Sequence, residues 1–101
     1  MKKAALNLDD ISRVLKEHKT EVRRKYNVTE IGIFGSYVRG EQKKRSDVDI
    51  LVSFSGIPDV FIYLELEEYL KRLLRRRVDL VRREAIRPEL KNRILEETVY
   101  V

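Results

Sequence analysis

Apolar and polar positions along this chain alternate between helical and extended spacing. Over residues 8–26, Ile11, Val14, Leu15, His18 and Val22 recur three and four apart, the stripe of a helix laid on a core, with Asn7 or Asp9 as its cap. Thr29 to Phe34 reads as a strand with Ile31 and Ile33 on one face. Ser36 to about Glu41 is a short helix stopped near Gly40, followed by a basic loop, Lys43 to Arg45. Val48 to Phe54 is a second strand; Val48, Ile50 and Val52 point one way and Asp49 the other. The turn Ser55-Gly56-Ile57-Pro58 leads, through Asp59 as cap, into an amphipathic helix over 60–75 built on Phe61, Leu64, Leu70, Leu73 and Leu74. Arg77 to Arg82 is a third strand, Val78 and Leu80 alternating with Asp79 and Val81. Pro88 opens a last helix, since proline suits the first turn, and Thr98 to Val101 adds a short final strand. The predicted fold is α/β (α+β): a small mixed β-sheet with helices covering one face. The other face is then partly open, and Asp47, Asp49 and Asp79 would occupy it if the third strand lies next to the second.

Length and composition narrow the class. The 101 residues suit one domain, 1–101, and 43% apolar content suits a globular core. No apolar run approaches the ~20 residues of a membrane span, and MKKAALNLDD lacks the apolar centre of a signal peptide. Without cysteine there is no disulfide framework and no thiolate metal site. A cytoplasmic protein is expected. The net charge of +5 is unevenly spread: residues 57–70 hold four acids and no base, and residues 71–93 hold ten bases against three acids. The basic stretch suits nucleic acid, an acidic partner or a nucleotide; the plain alternative is a solvated helix end with its loops.

The chemistry concentrates in residues 31–54. Gly35-Ser36, a gap of ten residues, then Asp47-Val48-Asp49 join a small-residue turn to two carboxylates. Glycine lets a backbone approach a phosphate closely. Serine at a helix start adds a hydroxyl and an N–H where an anion is favoured. Residues two apart on a strand share a face, so Asp47 and Asp49 are expected to project together. Each half alone is ordinary, a helix cap or a strand edge. Four fixed residues at fixed offsets, however, recur by chance in roughly 10⁻⁵ of windows. Carboxylates on a strand with an apolar run are costly unless metal or solvent receives them. Asp79, between Val78 and Leu80, is a third acid; its plain alternative is a surface carboxylate paired with an arginine. His18, on the apolar stripe of the first helix, reads as a core-edge histidine.

The segment GSYVRGEQKKRSDVDILV resembles the minimal nucleotidyltransferases (MNT) of the DNA polymerase beta superfamily, with their G-S-x10-D-x-D motif. Arg39-Gly40, Ser46 before the first acid, and the acid in RRVDLV extend the likeness over nearly the whole chain. The resemblance implies a polymerase-beta-type nucleotidyltransferase fold. It implies that Asp47 and Asp49 ligate two Mg²⁺ ions, and that Asp79 binds the ion activating the acceptor hydroxyl and helps take its proton. Gly35 and Ser36 would hold the β- and γ-phosphates of ATP, and Arg39 would steady either the triphosphate or the short helix. Ser46 is expected to cap the start of the strand. Such chemistry needs positioning and charge neutralisation more than covalent help, so one histidine and no cysteine suffice.

Larger relatives add a domain for tRNA or a drug, and the sequence here stops after the catalytic core. The small members resemble the antitoxin half of HEPN/MNT toxin–antitoxin pairs, which implies AMP transfer from ATP to a tyrosine hydroxyl of a partner HEPN ribonuclease in a hetero-oligomer. Loop 43–45 and the run 71–93 would then meet an acidic toxin surface. Two alternatives stand beside this: a binding module that neutralises by occlusion, and a nucleic-acid nucleotidyltransferase. Scarce aromatics in the basic run disfavour the second.

Overall fold

The computed structural model describes residues 6–101; residues 1–5 of the expected 1–101 domain, and of the amino-terminal segment read above, lie outside the described residues. Asn7 starts helix α1, Leu8–Tyr26: its side chain accepts the Asp10 N–H at 2.9 Å while Asp10 accepts the Asn7 N–H at 3.2 Å, a reciprocal cap that satisfies two donors the helix cannot. Of the two caps the sequence offered, Asn7 takes the position. Asn27, in the left-handed region, turns the chain into β1, Val28–Phe34. The short helix α2, Ser36–Arg39, and loop 40–47 return it as β2, Val48–Phe54. Asp59 accepts the Phe61 N–H at 2.7 Å to cap α3, Val60–Leu74, which crosses back to β3, Val78–Arg82. A 3₁₀ turn, Arg83–Ala85, then α4, Pro88–Glu97, and β4, Val99–Tyr100, complete the order.

The sheet runs β3-β2-β1-β4. β2 is antiparallel to β1 and parallel to β3, and α3 supplies the crossover that a parallel pair requires. On one face Ile31, Ile33, Val48, Ile50, Val52, Val78 and Leu80 pack with Ile11, Leu15 and Val22 of α1 and Leu66, Leu70 and Leu74 of α3. The apolar stripe of α3 differs from expectation. Leu70 and Leu74 face the core, but Phe61 and Leu64 are 70% and 48% exposed, and Leu66 takes the inner place. Residues four apart, 66, 70 and 74, form one row along the helix; Phe61 and Leu64 lie on its flank.

α1 and α3 cover this one face, as expected of the fold class. The opposite face is not bare. Phe34, Leu51 and Ile86 form a second, smaller cluster there, closed by Val81 and by Leu90, Ile94 and Leu95 of α4. At its edge β4 pairs Tyr100 with Gly32 and Val99 with Ile33. The approach is close enough that a Cβ on Gly32 would lie 2.6 Å from Thr98 Cγ2. α4 and the end of the chain are thereby pinned beside the acids. No helix among the described residues is long and apolar enough to cross a membrane.

Candidate active site

Strand pairing brings two of the three acids together. Asp49 on β2 stands opposite Asp79 on β3 in register and opposite Phe34 on β1, so both carboxylates lie on the face that carries the smaller cluster, on strands about 4.8 Å apart. The Gly35 turn, following Phe34, lies against Asp49. A Cβ at Gly35 would fall 1.9 Å from Asp49 Oδ2, and the backbone there, φ 82° and ψ −152°, is one that side chains other than glycine's scarcely allow. Burial pushes the Asp49 carboxyl up to about 6, with the nearby Asp79 and then Asp47 adding to the rise and Arg39 opposing it.

Asp47 has an arginine partner. It precedes β2, and its Oδ1 is 3.0 Å from Nε of Arg77. Arg77 in turn donates to the Arg45 carbonyl at 3.1 Å, and its own carbonyl accepts the Val48 N–H at 2.9 Å. The sequence offered an arginine partner to Asp79; the structure gives one to Asp47 instead, while Asp47 remains near enough to Asp49 to act on its charge. Among the described residues no three His, Cys, Asp or Glu side chains gather closely enough to hold a metal ion.

The donor set still fits a hard divalent cation. All three groups are carboxylates, which suit Mg²⁺. Their mutual repulsion at Asp49 is the kind a cation relieves. The Arg77–Asp47 pair is 74% and 46% exposed, and such exposed pairs contribute about 0–1 kcal/mol, a weak hold against the full charge of a divalent ion.

The turn itself is well built. The Gly35 carbonyl accepts the Val38 and Arg39 N–H groups at 3.1 and 3.2 Å, and Gly40 closes the short helix in the left-handed region. The Gly35 N–H donates to Oε2 of Glu97 at 2.7 Å. Arg39 Nη1 lies 3.1 Å from both Glu97 carboxylate oxygens while its Nε donates to Glu41 at 2.8 Å; these acids hold the guanidinium protonated above its ordinary range. Glu97 is thus a site residue that the sequence did not single out. It lies 62 residues beyond Gly35, at the end of α4, and no local pattern marks it. Ser46 accepts the Lys43 N–H at 2.7 Å and so closes the loop turn before β2. His18 bonds the Val14 carbonyl at 2.9 Å and meets Tyr69 edge-on, a place at the core margin remote from the acids. Beside Asp47, loop 40–47 meets the α3–β3 connection. Lys44, Arg45, Ser46, Arg75, Arg76 and Arg77 line a cleft of about 400 Å³ there.

Comparison with known proteins gives a consistent picture. A family model described as "Nucleotidyltransferase domain" matches residues 15–101. The chain is 51% identical over 98 residues to "Protein adenylyltransferase MntA" of Thermococcus cleftensis, covering 97% of this chain and 99% of that one. A solved chain described provisionally as a minimal nucleotidyltransferase superposes with TM-score 0.79 at 28% identity, covering 96% of this chain and 98% of the other. A toxin–antitoxin structure with AMP-PNP gives TM-score 0.68 at 27% identity, covering 94% of this chain and 72% of that one.

Proposed function

The chain belongs to the nucleotidyltransferase domain family and is a nucleotidyltransferase, and on that premise we propose that it transfers AMP from ATP to a tyrosine hydroxyl of a HEPN-type ribonuclease toxin, as the antitoxin of that pair. The observation that carries this reading is the Asp49–Asp79 register beside the Gly35 turn: carboxylates suited to a metal set directly against a small-residue turn suited to a phosphate. The naming of a relative as a protein adenylyltransferase, and the toxin–antitoxin context of a structural neighbour, support the class of acceptor.

Asp47, Asp49 and Asp79 would hold two Mg²⁺ ions, which supply Lewis-acid polarisation and neutralise the charge of the transferring phosphate and departing pyrophosphate. Gly35 and Ser36 bind the β- and γ-phosphates through backbone N–H and hydroxyl, aligning the α-phosphorus with the acids. Asp79 receives the acceptor hydroxyl and takes its proton. The tyrosine oxygen forms a bond to the α-phosphorus as the α–β bridge breaks, releasing pyrophosphate. Arg39 offsets the triphosphate charge beside Asp49. The basic cleft at Lys44, Arg45 and Arg75–Arg77 meets an acidic surface of the toxin and steers its approach.

The test is the intact mass of the partner toxin after incubation with this chain, Mg²⁺ and ATP. A gain of one or more AMP units, mapped to a tyrosine and abolished by Asp47→Asn, is expected. A toxin of unchanged mass whose ribonuclease activity survives would sink the proposal.

One observation favours a second reading. The exposed basic cleft of Lys44, Arg45 and Arg75–Arg77 suits an antitoxin that works by occlusion, since it can dock on an acidic surface without any transfer. Asp47→Asn combined with Asp49→Asn separates the two: neutralisation persists under occlusion and is lost if modification is required.

A further inference from the structure

Glu97 occupies donors that the reading above assigns to the nucleotide. Its Oε2 takes the Gly35 N–H at 2.7 Å, and both oxygens lie 3.1 Å from Arg39 Nη1. The Gly35 bond is short and charge-assisted, the strong class; the Arg39 contact is longer, one Nη1 shared between two oxygens. The Gly35 N–H has one proton and serves one acceptor well. A triphosphate seated on the Gly35-Ser36 turn would need that proton and the same face of the guanidinium, and would bring several negative charges against a carboxylate only 18% exposed.

The backbone behind Glu97 is anchored. Thr98 closes α4 through its N–H and hydroxyl to the Ile94 carbonyl at 3.1 and 2.6 Å, and the next two residues pair with β1. The cheap movement is therefore rotation of the Glu97 side chain out of the turn. Arg39 keeps a second anchor at Glu41 when it does so.

We propose that Glu97 is a built-in competitor of the triphosphate: its carboxylate and the nucleotide's terminal phosphates exclude one another on the Gly35 N–H and the Arg39 guanidinium, and Glu97 thereby sets nucleotide affinity. This rests on the reading of Gly35 and Ser36 as the phosphate cradle. It makes Glu97 a positioning residue of unusual sign, because its removal improves binding. A residue that merely braces the turn would lose affinity when replaced.

The experiment is calorimetric titration of the full chain with inorganic tripolyphosphate and with Mg-ATP, with adenosine as a control lacking phosphate. Glu97→Gln keeps the shape and removes the charge; Glu97→Ala removes the reach. Both variants are expected to bind tripolyphosphate and Mg-ATP roughly tenfold more tightly than the native chain, since a charge-assisted competitor is gone, with adenosine binding unchanged. The Gly35 amide resonance gives an independent check. It should move when the native chain is titrated with tripolyphosphate, and should begin displaced in Glu97→Gln. Equal or weaker phosphate binding in both variants, with native binding intact and lost in Gly35→Ala, would overturn the competitor role and leave the cradle standing. Absence of phosphate binding in native chain and variants alike would overturn the cradle and the inference together.

Discussion

Gly35 answers two demands at once. Its dihedrals belong to a region essentially reserved for glycine, and its missing Cβ makes room for Asp49 Oδ2. Gly40 meets a milder version of the first demand only: it lies in the left-handed region that Asn27 also adopts, and a Cβ there would touch nothing within 4 Å. Gly35→Ala is expected to cost about 1–3 kcal/mol of stability and to lower AMP transfer at least a hundredfold, whereas Gly40→Ala costs about 1 kcal/mol with a far smaller loss of turnover. Urea unfolding and single-turnover kinetics check the contrast. Asp49 carries its own pH signature. Its ordinary value is 3.8 and its folded value about 6, so between these limits the folded chain binds more protons than the unfolded one. The contribution of Asp49 to stability is therefore greatest below about pH 4 and falls as pH rises to about 6, with the deficit persisting above. Asp49→Asn removes the deficit. Without divalent metal this variant should melt above the native chain at pH 7.5 and with it below pH 4, and Mg²⁺ should raise the melting temperature of the native chain far more than that of the variant. A native chain as stable as Asp49→Asn throughout would refute the account.

For the elements, caps and alternation were readable because they are local. Asn7, Asp59 and Pro88 sit where the sequence placed helix starts, and the period-two rhythm of β2 and β3 sent Val48, Ile50, Val78 and Leu80 to one side. The rotation of α3 was not readable. Its first turns are apolar at 60, 61, 62, 63 and 64, so several rows satisfy a 3.6-residue period equally, and only contact with β2, β3 and α1 selects 66, 70 and 74. Leu66→Ala and Leu70→Ala, each at a fully buried position, should cost about 2–5 kcal/mol by denaturant unfolding. Phe61→Ala should stay within about 0.5 kcal/mol. A large loss at Phe61 would mean that α3 is turned differently.

At the scale of the whole molecule, segments distant in sequence make the surfaces that matter. Lys44 and Arg45 join Arg75, Arg76 and Arg77 in one cleft next to Asp47. The basic run seen in the sequence spans residues 71–93, but only its first part reaches this cleft; Arg83 instead pairs with Glu30 at 3.1 Å, away from it. If the cleft steers an acidic partner, Arg75→Glu with Arg76→Glu should slow association with the proposed toxin at least tenfold at low salt. The native association rate should converge on that of the variant as ionic strength rises to about 1 M, where the screening length falls to roughly 3 Å. Association rates that ignore both charge reversal and salt would place the partner on another surface.

The sequence by itself determined the elements, the family likeness and the identity of the motif residues, because turn chemistry, strand alternation and the Gly-Ser to Asp-x-Asp spacing are carried within some 20 residues. The three-dimensional arrangement alone decided which charges face one another. Asp49 meets Asp79 through a parallel pairing across the α3 crossover, Asp47 turns to Arg77, and Glu97 reaches Gly35 from 62 residues away. Those partners follow from sheet register and from the pinning of α4 by β4 on Gly32. Such long-range packing is set by the balance of the whole core, and no local run of residues encodes it.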